Sequence, residues 1–244
     1  MDPTNEPTWI AHRGGEPENS LEALISVLSP GSAASGIEFD VQLSADDVPI
    51  VFHDHETERL TGEGGTIVDR SWKEIARLQS LGQKIPRLQD LTVALLALET
   101  SPRHLNVEFK PTSRSIQLID ACTPFIERMQ SLSEVVVSSF DPRVIDALLK
   151  RRPSWKVAYL YEDLAALEAL RFFPQSERPL DLHPKHNLLT QEHVQEYGHA
   201  HMTFRTWTVD DSLEVKRLLQ LGVRHIISNI PNTLAKEFQE TTTL

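Results

Sequence analysis

Eight short apolar runs, each followed by an amphipathic helical stretch, constrain this chain more than any other feature of its sequence. The runs fall at 9–11, 37–43, 104–109, 134–138, 156–161, 180–183, 203–209 and 224–228. Asn19, with Glu22 three residues on, reads as the cap of a helix over 19–28, and Ser71 with Glu74 opens another that stops near Gly82. Asp141-Pro142 is a cap plus a first-turn proline, after which Val144, Ile145, Leu148 and Leu149 share one face. Further helices are predicted over 115–129, 163–172, 190–197, 211–221 and 231–239, with Gly222 as a natural stop. Repeated strand-then-helix units imply a parallel sheet covered by helices. Eight such units in 244 residues predict an α/β fold, a closed (β/α)8 TIM-type barrel, with an open doubly wound sheet as the alternative. The segment from about 54 to 100 carries extra material, including a glycine-rich turn at 62–65 and two helical pieces. It reads as a small insertion between strands two and three of a single domain spanning 1–244.

Composition narrows the partners. A formal net charge of −11 argues against nucleic acid and against an anionic membrane surface, both of which call for basic patches. Cys122 is the only cysteine, so no intramolecular disulfide can form, and a reducing compartment fits. Residues 1–7 are acidic and polar, unlike a secretory signal, and no apolar run approaches a membrane span. The expectation is a soluble cytoplasmic protein acting on a small molecule.

Polar residues collect where the apolar runs end. His12-Arg13-Gly14-Gly15 follows the first run, Glu38 and Asp40 straddle Phe39 in the second, and Glu108-Phe109-Lys110 ends the third. His53-Asp54 closes a shorter run at 50–52. Residues i and i+2 of a strand face the same way. Glu38 with Asp40, and Glu108 with Lys110, can therefore project into one cavity. Three carboxylates, two histidines and two cations gathered there would suit a hard divalent metal and a phosphate, and oxygen-only ligands favour Mg²⁺ or Ca²⁺.

Each residue alone has a plainer reading. His12 could be a satisfied strand-end group, Arg13 could pair with Glu16 or Glu18, and Lys110 could simply open a loop before Pro111. Trp207 is either core or a lid over a ligand's apolar part. His183, His186 and His193 read as loop or helix-surface residues.

Taken together, these residues resemble the glycerophosphodiester phosphodiesterase family. The matching text runs His12-Arg13-Gly14, Pro17-Glu18-Asn19-Ser20, Glu38-Phe39-Asp40-Val41 and Val51-Phe52-His53-Asp54. It continues through Leu60-Thr61-Gly62, Ile85-Pro86-Arg87-Leu88, Asn106-Val107-Glu108-Phe109-Lys110, Trp207-Thr208-Val209 and Gly222-Val223. The resemblance implies a TIM-type barrel and one divalent cation, Mg²⁺ or Ca²⁺, on Glu38, Asp40 and Glu108. It implies catalytic roles for His12 and His53 and substrate contacts from Arg13, Lys110 and Trp207. The implied reaction is hydrolysis of a glycerophosphodiester to glycerol 3-phosphate and an alcohol.

Three departures stand out. The loop after His12-Arg13-Gly14 looks short, Asp210 stands where many relatives have asparagine, and Asn229 stands where an acidic residue is common. The first and third fall on the expected pocket rim and leave the alcohol open. A phospholipase-type relative acting on a lipid headgroup is one rival, but it calls for a basic or apolar membrane-facing patch. A non-catalytic phosphate-binding barrel is another, but it calls for a broken histidine or carboxylate set.

Overall fold

A computed structural model describes residues 6–173, 180–198 and 203–242. Residues 1–5, part of the segment read for a secretory signal, lie outside the described residues. In chain order the first half comprises β1 (Thr8–His12), α1 (Leu21–Ser26), β2 (Gly36–Leu43), β3 (Pro49–Val51), α2 (Glu58–Thr61), α3 (Trp72–Ile75), β4 (Gln79–Ser80), β5 (Gln83–Lys84), α4 (Leu88–Leu96) and β6 (His104–Phe109). The second half comprises α5 (Ser115–Gln130), β7 (Glu134–Ser139), α6 (Pro142–Arg151), β8 (Lys156–Tyr161), β9 (Asp181–Pro184), α7 (Gln191–Tyr197), β10 (Arg205–Thr206), α8 (Ser212–Gln220), β11 (His225–Ser228) and α9 (Pro231–Thr242).

Eight of these strands run parallel in the order β10-β11-β1-β2-β6-β7-β8-β9. Parallel bridges from Leu182 to Phe204 and from Lys185 to Trp207 bring the two ends together, which favours the barrel over the open sheet. β3 lies outside this ring, antiparallel to β2. Together with β3, the segment after it, with α2, α3 and the β4–β5 hairpin, forms a second apolar cluster that includes Ile50, Phe52, Ile67 and Ile75.

Strand alternation decides what the barrel holds. On β2, Ile37, Phe39 and Val41 join the main core between sheet and helices, as do Leu105, Val107 and Phe109 on β6. The intervening Gly36, Glu38 and Asp40, and His104, Asn106 and Glu108, therefore occupy the opposite, inner face. Gly36 is required there: a Cβ would sit 2.2 Å from the His104 carbonyl oxygen. Lower in the barrel, fully buried Arg205 pairs with Glu134, and the His104 and His225 rings meet edge to face at 5.4 Å.

Several expectations need correction. α1 is capped by Ser20, whose Oγ accepts from the Ala23 N–H at 3.1 Å; Asn19 is engaged elsewhere. The stretch 164–172 winds as a 3₁₀ helix instead of the expected α-helix, with Leu167 buried in the core and Ala166, Ala169 and Leu170 packed against it. The run 203–209 shrinks to the two residues of β10. Beyond it the Thr206 hydroxyl and Trp207 indole donate to the Pro184 and His183 carbonyls at 2.9 and 2.8 Å, so side chains satisfy acceptors that a longer ladder would use. His183 is not a loop residue: it sits in β9 and is fully buried. His193 is buried too, its Nε2 2.7 Å from the Tyr161 hydroxyl, whereas half-buried His186 pairs with Glu214 at 2.7 Å.

Candidate active site

The strand ends converge at the C-terminal mouth of the barrel, where this architecture places active sites. Register alone brings the acidic residues together: His12 is the cross-strand partner of Glu38, and Asp40 that of Glu108. Glu38, Asp40 and Glu108 are all buried, and each offers an oxygen within 4.8 Å of the others. Asp40 accepts hydrogen bonds from Asn19 Nδ2 at 2.8 Å and from Lys110 Nζ at 3.3 Å, and Arg13 Nε lies 3.4 Å away. Lys110 also reaches Glu108 at 2.6 Å, and the Arg13 backbone N–H donates to Glu38 at 3.1 Å. Gly14 makes this entry loop possible. Its φ is +76°, and a Cβ there would come within 2.7 Å of the Leu24 backbone.

The carboxylates do not share the available positive charge equally. Burial opposes ionisation of Asp40, but Lys110, His53 and Arg13 outweigh it and hold that carboxyl below its ordinary value. Burial and then the Asp40 charge push Glu38 up to about 8 and Glu108 up to about 7. Three buried oxygen donors with this surplus of unneutralised acid fit a hard divalent cation.

Two histidines flank the cluster. His12 Nε2 stands 3.9 Å from Glu38, while its Nδ1 is 2.7 Å from Asn229 Oδ1. His53 Nδ1 is 2.7 Å from Asp54, which Arg59 grips through Nε at 2.6 Å and Nη2 at 2.8 Å. Those Arg59 bonds push Asp54 down to about 2. Glu18 ties Arg59 to Arg13, so one ion-pair chain runs around the rim from His53 to the carboxylates. Burial, with Arg13 beside His12 and with Lys110 and Arg13 beside His53, lowers both imidazoles from their ordinary value.

A cavity of about 240 Å³ opens between the histidines, lined by His12, His53, Glu108 and Trp207 among others. Half-buried Trp207 meets Phe140 edge to face at 5.3 Å, and Glu162 stands on the same wall. A larger cavity of about 460 Å³ lies at the other end of the barrel, around Thr8 and His104, remote from the carboxylates. The eight residues expected to form the site, His12, Arg13, Glu38, Asp40, His53, Glu108, Lys110 and Trp207, thus sit at one mouth, whereas His183, His186 and His193 lie away from the cavity. Sequence reasoning missed the second layer. The cap-like position of Asn19 hides its bond to Asp40, and the Glu18–Arg59 contact, 41 residues apart, leaves no local signal.

Comparison with known proteins identifies the family and the fold. A curated glycerophosphodiester phosphodiesterase of Caldanaerobacter subterraneus subsp. tengcongensis is 28% identical over 241 residues, covering 92% of this chain and 95% of that one. A second, from Bacillus altitudinis, is also 28% identical and covers 95% of this chain and 98% of its own. The same fold occurs in a phosphodiesterase of Oleispira antarctica, solved in complex with the product sn-glycerol-3-phosphate, with a TM-score of 0.82, 23% identity and coverage of 96% and 97%. Residues 12–233 match the Glycerophosphoryl diester phosphodiesterase family, to which this chain therefore belongs.

Proposed function

We propose that this chain hydrolyses glycerophosphodiesters to glycerol 3-phosphate and an alcohol, with a divalent cation held by Glu38, Asp40 and Glu108. The observation that carries this reading is the buried carboxylate trio, bracketed by Arg13 and Lys110 and facing a cavity shared with two histidines. The names of the relatives and the product bound in the Oleispira structure support it. When bound, the cation would supply positive charge for a non-bridging phosphate oxygen and acidify the nucleophile. Arg13 and Lys110 orient the phosphate and stabilise charge that develops on it. One histidine takes a proton from the nucleophile, and the other returns one to the leaving alkoxide. Trp207 and Phe140 give the cavity an aromatic wall beside Glu162. A small cavity suits a glycerol phosphate better than a two-chain lipid. The cytoplasm suits the chain's single cysteine, Cys122, which is free and buried.

The test is to incubate the protein with choline, ethanolamine, inositol and glycerol diesters of glycerophosphate, with EDTA and with Mg²⁺ or Ca²⁺ restored, and to identify both products. Glycerol 3-phosphate is expected from at least one diester, and only with metal present. Its absence from all of them would overturn the proposal.

Metal affinity is expected to rise with pH. In the metal-free protein Glu38 and Glu108, raised to about 8 and about 7, retain protons near neutrality. A raised carboxyl is protonated below its pKa, so a cation must displace those protons, and the competition fades as pH climbs from 7 to 8. Binding at pH 7 should release roughly one to two protons. Calorimetry in buffers of different ionisation enthalpy measures this directly, and an affinity constant across pH 6 to 8 would contradict it.

A further inference from the structure

Behind His12, outside the cavity lining, Asn229 and Asp210 form a closed hydrogen-bonded unit. Asp210 Oδ1 accepts from the Ser228 hydroxyl and the Asn229 backbone N–H, both at 2.9 Å, and its Oδ2 accepts from Asn229 Nδ2 at 2.6 Å. The Ser228 hydroxyl oxygen in turn accepts from the Ile230 N–H at 3.0 Å, which pins the turn after β11. Asp210 thus receives three donors and gives none.

This arrangement determines the polarity of the next bond. A carboxylate oxygen only accepts, so the Asn229 NH2 must face Asp210, and the amide oxygen must face His12. That oxygen also only accepts, yet it lies 2.7 Å from His12 Nδ1. His12 Nδ1 must therefore carry hydrogen whether the ring is neutral or charged. Nε2, on the Glu38 side of the ring, is left as the atom that gains or loses a proton.

We propose that Asp210 and Asn229 are positioning residues that fix the His12 tautomer, so that Nε2 is the proton-exchanging atom. The two positions set apart in the sequence form one device: the carboxylate orients the amide, and the amide orients the imidazole. Neither touches the cavity, so both act through His12. This rests on the reading of His12 as a proton-transfer group.

Asp210→Asn tests it. The new NH2 replaces an acceptor where Asn229 Nδ2 donated. The Asn229 amide relieves that conflict by turning over, which presents its own NH2 to His12 Nδ1 and moves the ring proton to Nε2. The double exchange Asp210→Asn with Asn229→Asp puts an acceptor back against Nδ1 while the position-210 amide donates to it. The readouts are ¹⁵N chemical shifts of the His12 ring in the metal-free full chain, with His12→Gln identifying the signals, and steady-state kinetics with metal. Wild type and the double exchange should show hydrogen on Nδ1, and Asp210→Asn should show it on Nε2. Asp210→Asn should lose about 10²-fold or more in kcat, the kind of loss a wrong tautomer produces, at nearly unchanged KM. The double exchange should recover to within a few-fold.

A wild-type His12 with a bare Nδ1 would overturn the proposal. So would an Asp210→Asn protein with unchanged tautomer and kcat, or a loss that the double exchange does not repair. If Asp210→Asn fails to fold, the wild-type spectrum and the double exchange still decide it. If no diester is hydrolysed, the catalytic reading fails separately, because the spectra report the tautomer without turnover.

Discussion

Replacing Glu38, Asp40 or Glu108 by its amide is expected to lower turnover by at least about 10²–10³-fold, the usual cost of deleting one preorganised electrostatic group. Calorimetry should show weakened Mg²⁺ or Ca²⁺ binding in all three. Their effects on stability should diverge. Asp40 accepts from Asn19 and Lys110 and lies against Arg13, so its loss leaves buried donors poorly matched. Asp40→Asn should destabilise the metal-free protein by about 1–3 kcal/mol, as expected for unsatisfied buried partners of a charged group. Glu38 is different. Its charge is opposed by burial and by Asp40, which is why its carboxyl rises to about 8. Glu38→Gln removes that conflict and should leave metal-free stability unchanged or higher at pH 8. Thermal unfolding without metal, beside calorimetry with it, separates the two contributions. Unchanged metal affinity in all three variants would sink the assignment of the trio.

The barrel was legible because period-2 alternation survives in most of its strands. Ile37, Phe39 and Val41 mark the outer face of β2, and Glu38 and Asp40 then have only the inner face to occupy. The same logic located Glu108, and the ends of the apolar runs located His12 and Lys110. What the alternation hides is a polar interior below the mouth. His183 and Arg205 are fully buried, yet histidine and arginine in a sequence look like surface. β10 was overestimated because Thr206 and Trp207 continue a strand-like composition after their side chains have taken over the backbone acceptors of β9. The supporting layer was least legible. Asn19 to Asp40, Glu18 to Arg59 and Asn229 to His12 are contacts between distant segments, and each residue also has an ordinary local use as a cap or a loop group.

His12→Ala and His53→Ala are each expected to reduce kcat on the order of 10²–10⁴-fold while keeping fold and metal affinity, the range typical of a general acid or base. His186→Ala is the control, because His186 pairs with Glu214 away from the cavity. His183 and His193 do not serve as controls, since both are buried and their removal would disturb packing. The partners of the two active-site rings differ. His53 is bonded to the Asp54 carboxylate, whereas His12 is bonded to the neutral Asn229 amide. A carboxylate partner favours the charged ring. His53 is therefore expected to donate the proton to the leaving group, and His12 to accept one from the nucleophile. A nitrophenyl diester separates these roles, because its leaving oxygen needs little protonation. His53→Ala should be partly rescued on that substrate, and His12→Ala should not. The reverse pattern would exchange the two roles. If neither variant loses more than a few-fold on a natural diester, proton transfer by these side chains is not the source of the rate, and Arg13, Lys110 and the bound cation must account for it.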